Sequence, residues 1–400
     1  MDYITAEQAA GLWGVRRRIV QKYCAEGRVD GAFKLSRDWL IPRGTAKPHD
    51  LRASVQRGGQ PPARGLPKHC GFLLCTSLYS EPGSADTLAE SCHPADPDAA
   101  RAIVMNAAYF RGRHGEAARL AREVPLEEAG AYLRFNVCQM LALDAMFEGD
   151  AGKWLEARKL LLNTDRSTEG DYALCEYHLA VMDSAIFDKQ NFPGWLKAGC
   201  FDLLPVDSYP IARFTYLKWL YMNGDKAGLS AAAEPLISQT RAEGALLPEI
   251  YLRIMAAVNY HETACDQQAR MHLQKALALA LPDGFYSPFA EYRRQLGPLL
   301  DSVLREAGPS ALRSVVQIYN QLIPGWTKLF NALYDKKLTL ELTLREYETA
   351  AAVCGGLTNA EAAARLGISV NAVKLYLRTI YEKLGVHSRA ELKPYIYGEP

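Results

Sequence analysis

Asn371, Lys374, Leu375 and Arg378 recur at i, i+3, i+4 and i+7 in the stretch VNAVKLYLRTIYEKL, the spacing of one face of an α-helix. An amide, an ammonium, an apolar side chain and a guanidinium in one row suit the base edges of a DNA major groove. Asn and Arg can bond bidentately there, and Lys reaches bases or phosphates. Val373, Leu377, Ile380 and Leu384 form an inner stripe on the other side, so the row is expected to be held from behind. A second cationic cluster, Arg16, Arg17, Arg18, Gln21 and Lys22, stands near the start of the chain. Catalytic patterns are missing: there is no GxSxG, HExxH, P-loop or dinucleotide fingerprint, and Gly152–Lys153 is followed by Trp154. Nothing asks for an enzyme or a cofactor. His69–Cys70, Cys75 and Cys92–His93 have ligand chemistry, but their spacing matches no common zinc pattern, and CGFLLC reads as a buried apolar segment.

Short elements must position the first row. Thr343 with Glu346 spells a capping box, after which Leu344, Tyr347, Ala351 and Cys354 share a face and Gly355–Gly356 ends the helix. Thr358 with Glu361 spells a second box for a short helix packing through Ala362, Ala363 and Leu366, and its start at Thr358–Asn359 can offer backbone N–H groups to a phosphate. Gly367 permits the tight turn, and Ser369 caps a third helix from Val370 to about Leu384. The segment 342–392 resembles the LuxR/GerE-type helix-turn-helix in its LTxRE opening, GLTNAEAA helix, LGIS, AVK start and closing KLGVHSRAEL. That resemblance implies a four-helix DNA-binding domain in which Lys374, Leu375 and Arg378 face DNA. Ala372 and Tyr376 depart from it, standing where the family commonly has Thr and His. An exposed amphipathic hairpin with no nucleic-acid role is the bland alternative.

At the other end, Thr5 with Gln8 caps a helix expected to bury Ala9, Leu12 and Trp13, and Gly14 gives a turn into the cationic cluster, whose Ile19, Val20 and Tyr23 face inward. After Gly27 and Gly31, AFKLSRDWLI alternates as a two-stranded wing turning at Ser36–Asp38. This stretch resembles the MerR/excisionase type of winged helix-turn-helix, ending Trp39-Leu40-Ile41-Pro42. The resemblance implies that Arg17, Arg18 and Gln21 enter or border the groove and that Lys34 and Arg37 on the wing meet phosphate. Arg16 stands where a capping Ser is usual. Such modules also contact proteins, and a basic face can be merely solvated, so the role of this end stays open.

Between the ends, the 400 residues divide by composition and charge. Residues 1–68 carry a balance of +7, residues 336–400 of +2, and the remainder −8, which favours an anionic partner at the ends. Residues 44–68, rich in Gly, Pro and Arg, read as a flexible basic linker. From about 84 to 335 nearly every segment has helical period and no strand alternation. Helix pairs turn at Gly112, Gly149, Gly224 and near Thr263–Asp266, with one weaker unit around Asn191, as stacked helix hairpins require. Asp and Glu in such an array are expected on solvated faces, and Tyr209, Phe214, Tyr216, Trp219 and Tyr221 in its core. Ala108, Tyr109, Gly112, Ala117 and Ala118 resemble part of a tetratricopeptide (TPR) repeat. KALALALPDGFYSPFAEYRRQLGPLL is similar to the end of the TPR-like domain of large LuxR-type regulators of the maltose-regulator kind, although their nucleotide-binding module is missing.

The expected architecture is therefore mainly α. A winged helix-turn-helix (1–43) and a linker (44–68) precede a TPR-like array (69–335) and a LuxR-type helix-turn-helix (336–400). The expected function is that of a bacterial, cytoplasmic transcriptional regulator that binds double-stranded DNA as a homodimer and receives a ligand or partner protein at the array. Nine cysteines without CxxC pairs fit reduced thiols, and no apolar run is long enough for a membrane span. Two rivals remain: a protein–protein adaptor with degenerate DNA-binding ends, and an enzyme hidden in the array.

Overall fold

A reciprocal cap starts the first helix. Thr5 Oγ1 accepts the Gln8 amide at 3.3 Å, and Gln8 Oε1 accepts the Thr5 amide at 2.9 Å. The computed structural model describes residues 3–13, 15–25, 29, 32–35, 38–43, 72–94, 96–127, 129–164 and 169–397. These fall in two compact units, Met1–Gly65 and Leu66–Pro400. Gly14, Gly27, Gly31, Ser36, Arg37, the linker 44–68 and His69–Cys70 lie outside the described residues.

The first unit runs β1 (Tyr3–Thr5), α1 (Ala6–Trp13), α2 (Arg17–Ala25), β2 (Phe33–Leu35) and β3 (Asp38–Pro42). Its sheet has three strands in the order β1-β3-β2, all antiparallel, one more than the expected wing. The extra strand forms because Ile4 pairs with Ile41 and both are buried. The inner face of α1 is Ala6, Ala9 and Ala10, with Trp13 half-buried, at helical spacing. Leu12, expected inside, is 72% exposed because it falls off that stripe. Val20 and Tyr23 face the core as expected, with Ile19 half-buried.

In the second unit every regular element among the described residues is helical. It opens with α3 (Ala85–Cys92) and continues as hairpins: α4 (Pro97–Phe110) with α5 (His114–Arg122), and α6 (Ala131–Glu148) with α7 (Ala151–Leu162). Next come α8 (Glu169–Ala185) with a four-residue α9 (Gly194–Lys197), α10 (Tyr209–Met222) with α11 (Lys226–Ala242), and α12 (Leu246–Glu262) with α13 (Asp266–Ala280). Glycine at φ +80°, +68° and +73° makes the turns at Gly112, Gly149 and Gly224, and Ala264 takes φ +60° at the last. The weak unit near Asn191 exists, its second helix cut to one turn. α14 (Ser287–Glu291), α15 (Arg293–Ala307) and the 26-residue α16 (Pro309–Tyr334) follow, α15 breaking at Gly297. Phe72, Leu73, Leu74 and Cys75 are buried, as the CGFLLC stretch suggested, and so is Cys92.

Several carboxylates expected in solvent are buried instead. Asp144 pairs with Arg122 at 2.6 Å, Asp183 with Arg158 at 3.0 Å, and Asp283 accepts from Tyr79 Oη and from the amides of Gly83 and Ala85. The cause is topological. Residues 79–85 meet residues 281–284, and Ser287 Oγ donates to the Tyr109 carbonyl at 2.6 Å, so the first hairpin is tied to the segment after the last. Faces that a single hairpin would leave wet are covered. Among the described residues no group of three His, Cys, Asp or Glu side chains is placed to hold a metal, and no helix is long and apolar enough to cross a membrane.

α16 packs across α6, and Gly325 makes the approach possible. A Cβ there would overlap the carbonyl oxygens of Met146 and Phe147. Gly325→Ala is expected to destabilise the second unit by about 1–3 kcal/mol, the usual overpacking cost, read as a lower midpoint in urea or heat with α-helical content unchanged before the transition.

Candidate nucleic-acid interface

Four helices close the chain: α17 (Leu344–Cys354), α18 (Asn359–Leu366), α19 (Val370–Leu384) and α20 (Arg389–Tyr397). Both capping boxes form: Thr343 with Glu346 starts α17, and Thr358 with Glu361 starts α18. Gly367, at φ +67°, turns the chain into α19, and Ser369 Oγ accepts the Ala372 amide at 3.1 Å. Val373, Leu377 and Ile380 are buried against α17 and α18, and Leu384 is half-buried. Asn371, Lys374, Leu375 and Arg378 are all exposed on the far side of α19, Leu375 by 49%. Among the described residues, only a long contact of 3.9 Å to Glu382 engages Arg378, and both ends of it are in solvent.

The start of α18 is less open than the sequence suggested. The Thr358 amide donates to Glu361 Oε2 at 2.8 Å, and those capping bonds hold the Glu361 carboxyl below its usual range. Asn359 Oδ1 accepts from Arg389 Nη2 at 2.6 Å, which ties α18 to α20.

Glu346 does more than cap. It is buried, and both its oxygens accept from Lys383 Nζ, at 2.8 and 2.7 Å, joining α17 to the end of α19. Sequence reasoning missed this pair, because no local pattern relates residues 37 apart.

A third face of α19 carries Ala372, Tyr376, Thr379 and Lys383, and it looks across a cavity of ≈ 970 Å³ to the array. Arg345 Nη2 donates to the Met222 carbonyl at 2.5 Å, and Gly224, in the α10–α11 turn, lies against Ile368 and Gly367 in the α18–α19 turn. Burial and the Glu262 carboxylate of α12 push the Tyr376 hydroxyl up. The two positions at which the segment departs from its family pattern, 372 and 376, thus face the array. That departure was the one sequence signal for this contact.

In the first unit Arg17 and Arg18 are exposed, and Gln21 is half-buried on α2. Arg17 Nε lies 3.5 Å from Glu7 Oε2. Lys34 sits on β2 with its side chain outside the described residues, as is the whole of Arg37.

Two capped helices set by a left-handed glycine, the second held from behind and polar in front, define a helix-turn-helix of the kind that enters a major groove. Residues 340–395 match the family described as bacterial regulatory proteins, luxR family, and this segment is a LuxR-type helix-turn-helix domain. It is 55% identical over 49 residues to the probable transcriptional regulatory protein SgaR of Hyphomicrobium methylovorum, covering 12% of this chain and 23% of that one. It is 47% identical over 55 residues to the HTH-type transcriptional activator RamA of Corynebacterium glutamicum, covering 14% and 20%. The chain thus spans 23% and 20% of the length of these relatives. No solved structure matches the chain.

Glu346→Gln removes the charge that Lys383 binds while leaving an amide able to cap. With Lys383 32% exposed, solvent screens the pair, and the expected loss is about 1–2 kcal/mol rather than the larger figure for a sealed pair. Hydrogen exchange checks it: amides of α17 and α19 exchange faster, and those of α6 and α12 do not.

Proposed function

We propose that this chain is a transcriptional regulator whose α19 reads double-stranded DNA and whose helical array governs when it can do so. The observation that carries the reading is the exposed row Asn371, Lys374, Leu375 and Arg378 on a helix whose back is buried. A B-DNA major groove is about 12 Å wide and a helix with its side chains about 10–12 Å across, so both flanks of an inserted helix approach the groove walls. The array-facing flank, with Ala372, Tyr376 and Thr379, is not free to do so while Arg345 and the α18–α19 turn rest on the α10–α11 turn. The docked arrangement is then a closed state, and DNA binding requires the domain to move off the array.

In this reading Lys374 and Arg378 supply base and phosphate contacts, Asn371 and Leu375 complete the base-facing row, and the α18 start at Thr358–Asn359 approaches a phosphate. The protein acts in the cytoplasm as a homodimer, without enzymatic activity or a bound cofactor. The first unit, read as a MerR-like winged helix, adds a second basic contact through Arg17, Arg18, Gln21, Lys34 and Arg37. The hairpin array, read as TPR-like, senses a ligand or partner.

A mobility shift on the protein's own promoter DNA tests this. Lys374→Ala/Arg378→Ala is expected to abolish specific binding and to flatten the salt dependence, whereas Arg345→Ala, which loosens the docked state, is expected to tighten binding several-fold. Undiminished binding by the double variant would sink the assignment of α19 as the reading helix. Unchanged or weaker binding by Arg345→Ala would sink the closed state.

A further inference from the structure

At the inner end of the cavity between α19 and the array, an ammonium has no carboxylate or hydrogen-bond acceptor in reach among the described residues. Lys218, on α10, is 8% exposed and lines both the large cavity and a smaller one beside it. No carboxylate of the described residues lies within 4.0 Å of its Nζ, and no hydrogen-bond acceptor engages it. Aromatic rings surround it instead: Phe187 at 5.6 Å, Tyr292 at 5.8 Å and Phe214 at 5.9 Å from the ring centroids. Phe214 was expected as plain core. Here it forms one wall of a cage.

An ammonium has three donors and no acceptor, so its ordinary partner is an anion. The neighbouring carboxylate is already served: Glu291 Oε1 accepts from Tyr109 Oη at 2.9 Å and from Tyr251 Oη at 3.0 Å. A second cation, Arg294, lines the same cavity with its Nε buried and unpartnered, while its Nη2 is held by the carbonyls of Thr339 and Leu340. With Glu291 bonded to two hydroxyls, the three donors of the Lys218 ammonium are left for an occupant of the cavity. Leu143, Met146, Leu322 and Trp326 make the nearby walls apolar.

We propose that this cavity binds a small organic acid, a monocarboxylate with an apolar chain or ring, whose carboxylate pairs with Lys218. Burial among the rings pulls the Lys218 ammonium down to about 8, with Glu291 pulling the other way, so the free site is strained toward losing its proton and a bound anion relieves that. Leu375 and Tyr376 line the same cavity on the α19 side, so the cavity that would hold the acid is bounded by both the sensor and the reading helix. The inference rests on the array being a sensor and names what it senses.

Calorimetry on the full chain tests it with octanoate and 4-phenylbutyrate as probes and their primary amides as uncharged controls. Either acid is expected to bind at least about tenfold more tightly than its amide. Lys218→Met, which keeps bulk in the cage, brings the acid down to the amide. Glu291→Gln, which keeps the tyrosine hydroxyls bonded but removes a charge, strengthens acid binding. Should Lys218→Met unfold, the Glu291→Gln comparison still decides. No heat with either acid, acid and amide alike, or weaker acid binding by Glu291→Gln overturns the proposal. Because no DNA is present, its failure leaves the mobility-shift result standing, and a failed mobility shift leaves the calorimetry standing.

Discussion

The buried carboxylate of Asp283 is the contact on which the second unit's interior depends. A carboxylate taken out of water is tolerable only when its lone pairs are filled by good donors. Here one tyrosine hydroxyl and two backbone amides do that, drawn from residues about two hundred positions earlier in the chain. Stacked hairpins by themselves make an open array, in which each touches only its neighbours. By joining residues 79–85 to 281–284, Asp283 ties the start of the array to the segment after its last hairpin. The tie continues inward: Ser287 Oγ donates to the Tyr109 carbonyl, and Tyr109 Oη donates to Glu291.

α19 answers three demands with three faces. Val373, Leu377 and Ile380 hold it to α17 and α18, the row from Asn371 to Arg378 meets solvent, and Ala372, Tyr376 and Thr379 look toward the array. With 3.6 residues per turn, three stripes fit around one helix, and Leu375 stands where the second and third meet. In the reading proposed above, the third stripe has leverage over the second, since a helix that fills a groove cannot keep a partner on its flank. Glu346 and Lys383 belong to the same logic. Their pair fixes the far end of α19 to α17, so the helix moves with its domain rather than alone.

The first unit follows a simpler rule. Ile4 and Ile41 bury each other across a strand pair, and the alanine stripe of α1 covers them. The third strand escaped the sequence reading because three residues, Tyr3–Thr5, are too few to show alternation. The misplacement of Leu12 has a like cause: three candidate apolar positions in eight residues allow more than one stripe, and the small alanines win because they permit close packing.

What the sequence determined by itself is local. Capping boxes at Thr5, Thr343 and Thr358 and left-handed turns at Gly112, Gly149, Gly224 and Gly367 follow from interactions within four residues, and the row on α19 from helical periodicity; such signals are written in neighbouring letters. Tertiary structure alone decided which charges are buried. Lys218 sits within FTYLKWLY, where periodicity marks a partly apolar helix and nothing marks an unpartnered cation. Asp283 and Glu291 look like any surface acids, and Glu346 like an ordinary capping residue. Their environments come from partners tens to hundreds of residues away, and the free energy of a buried charge depends on those partners, not on sequence neighbours.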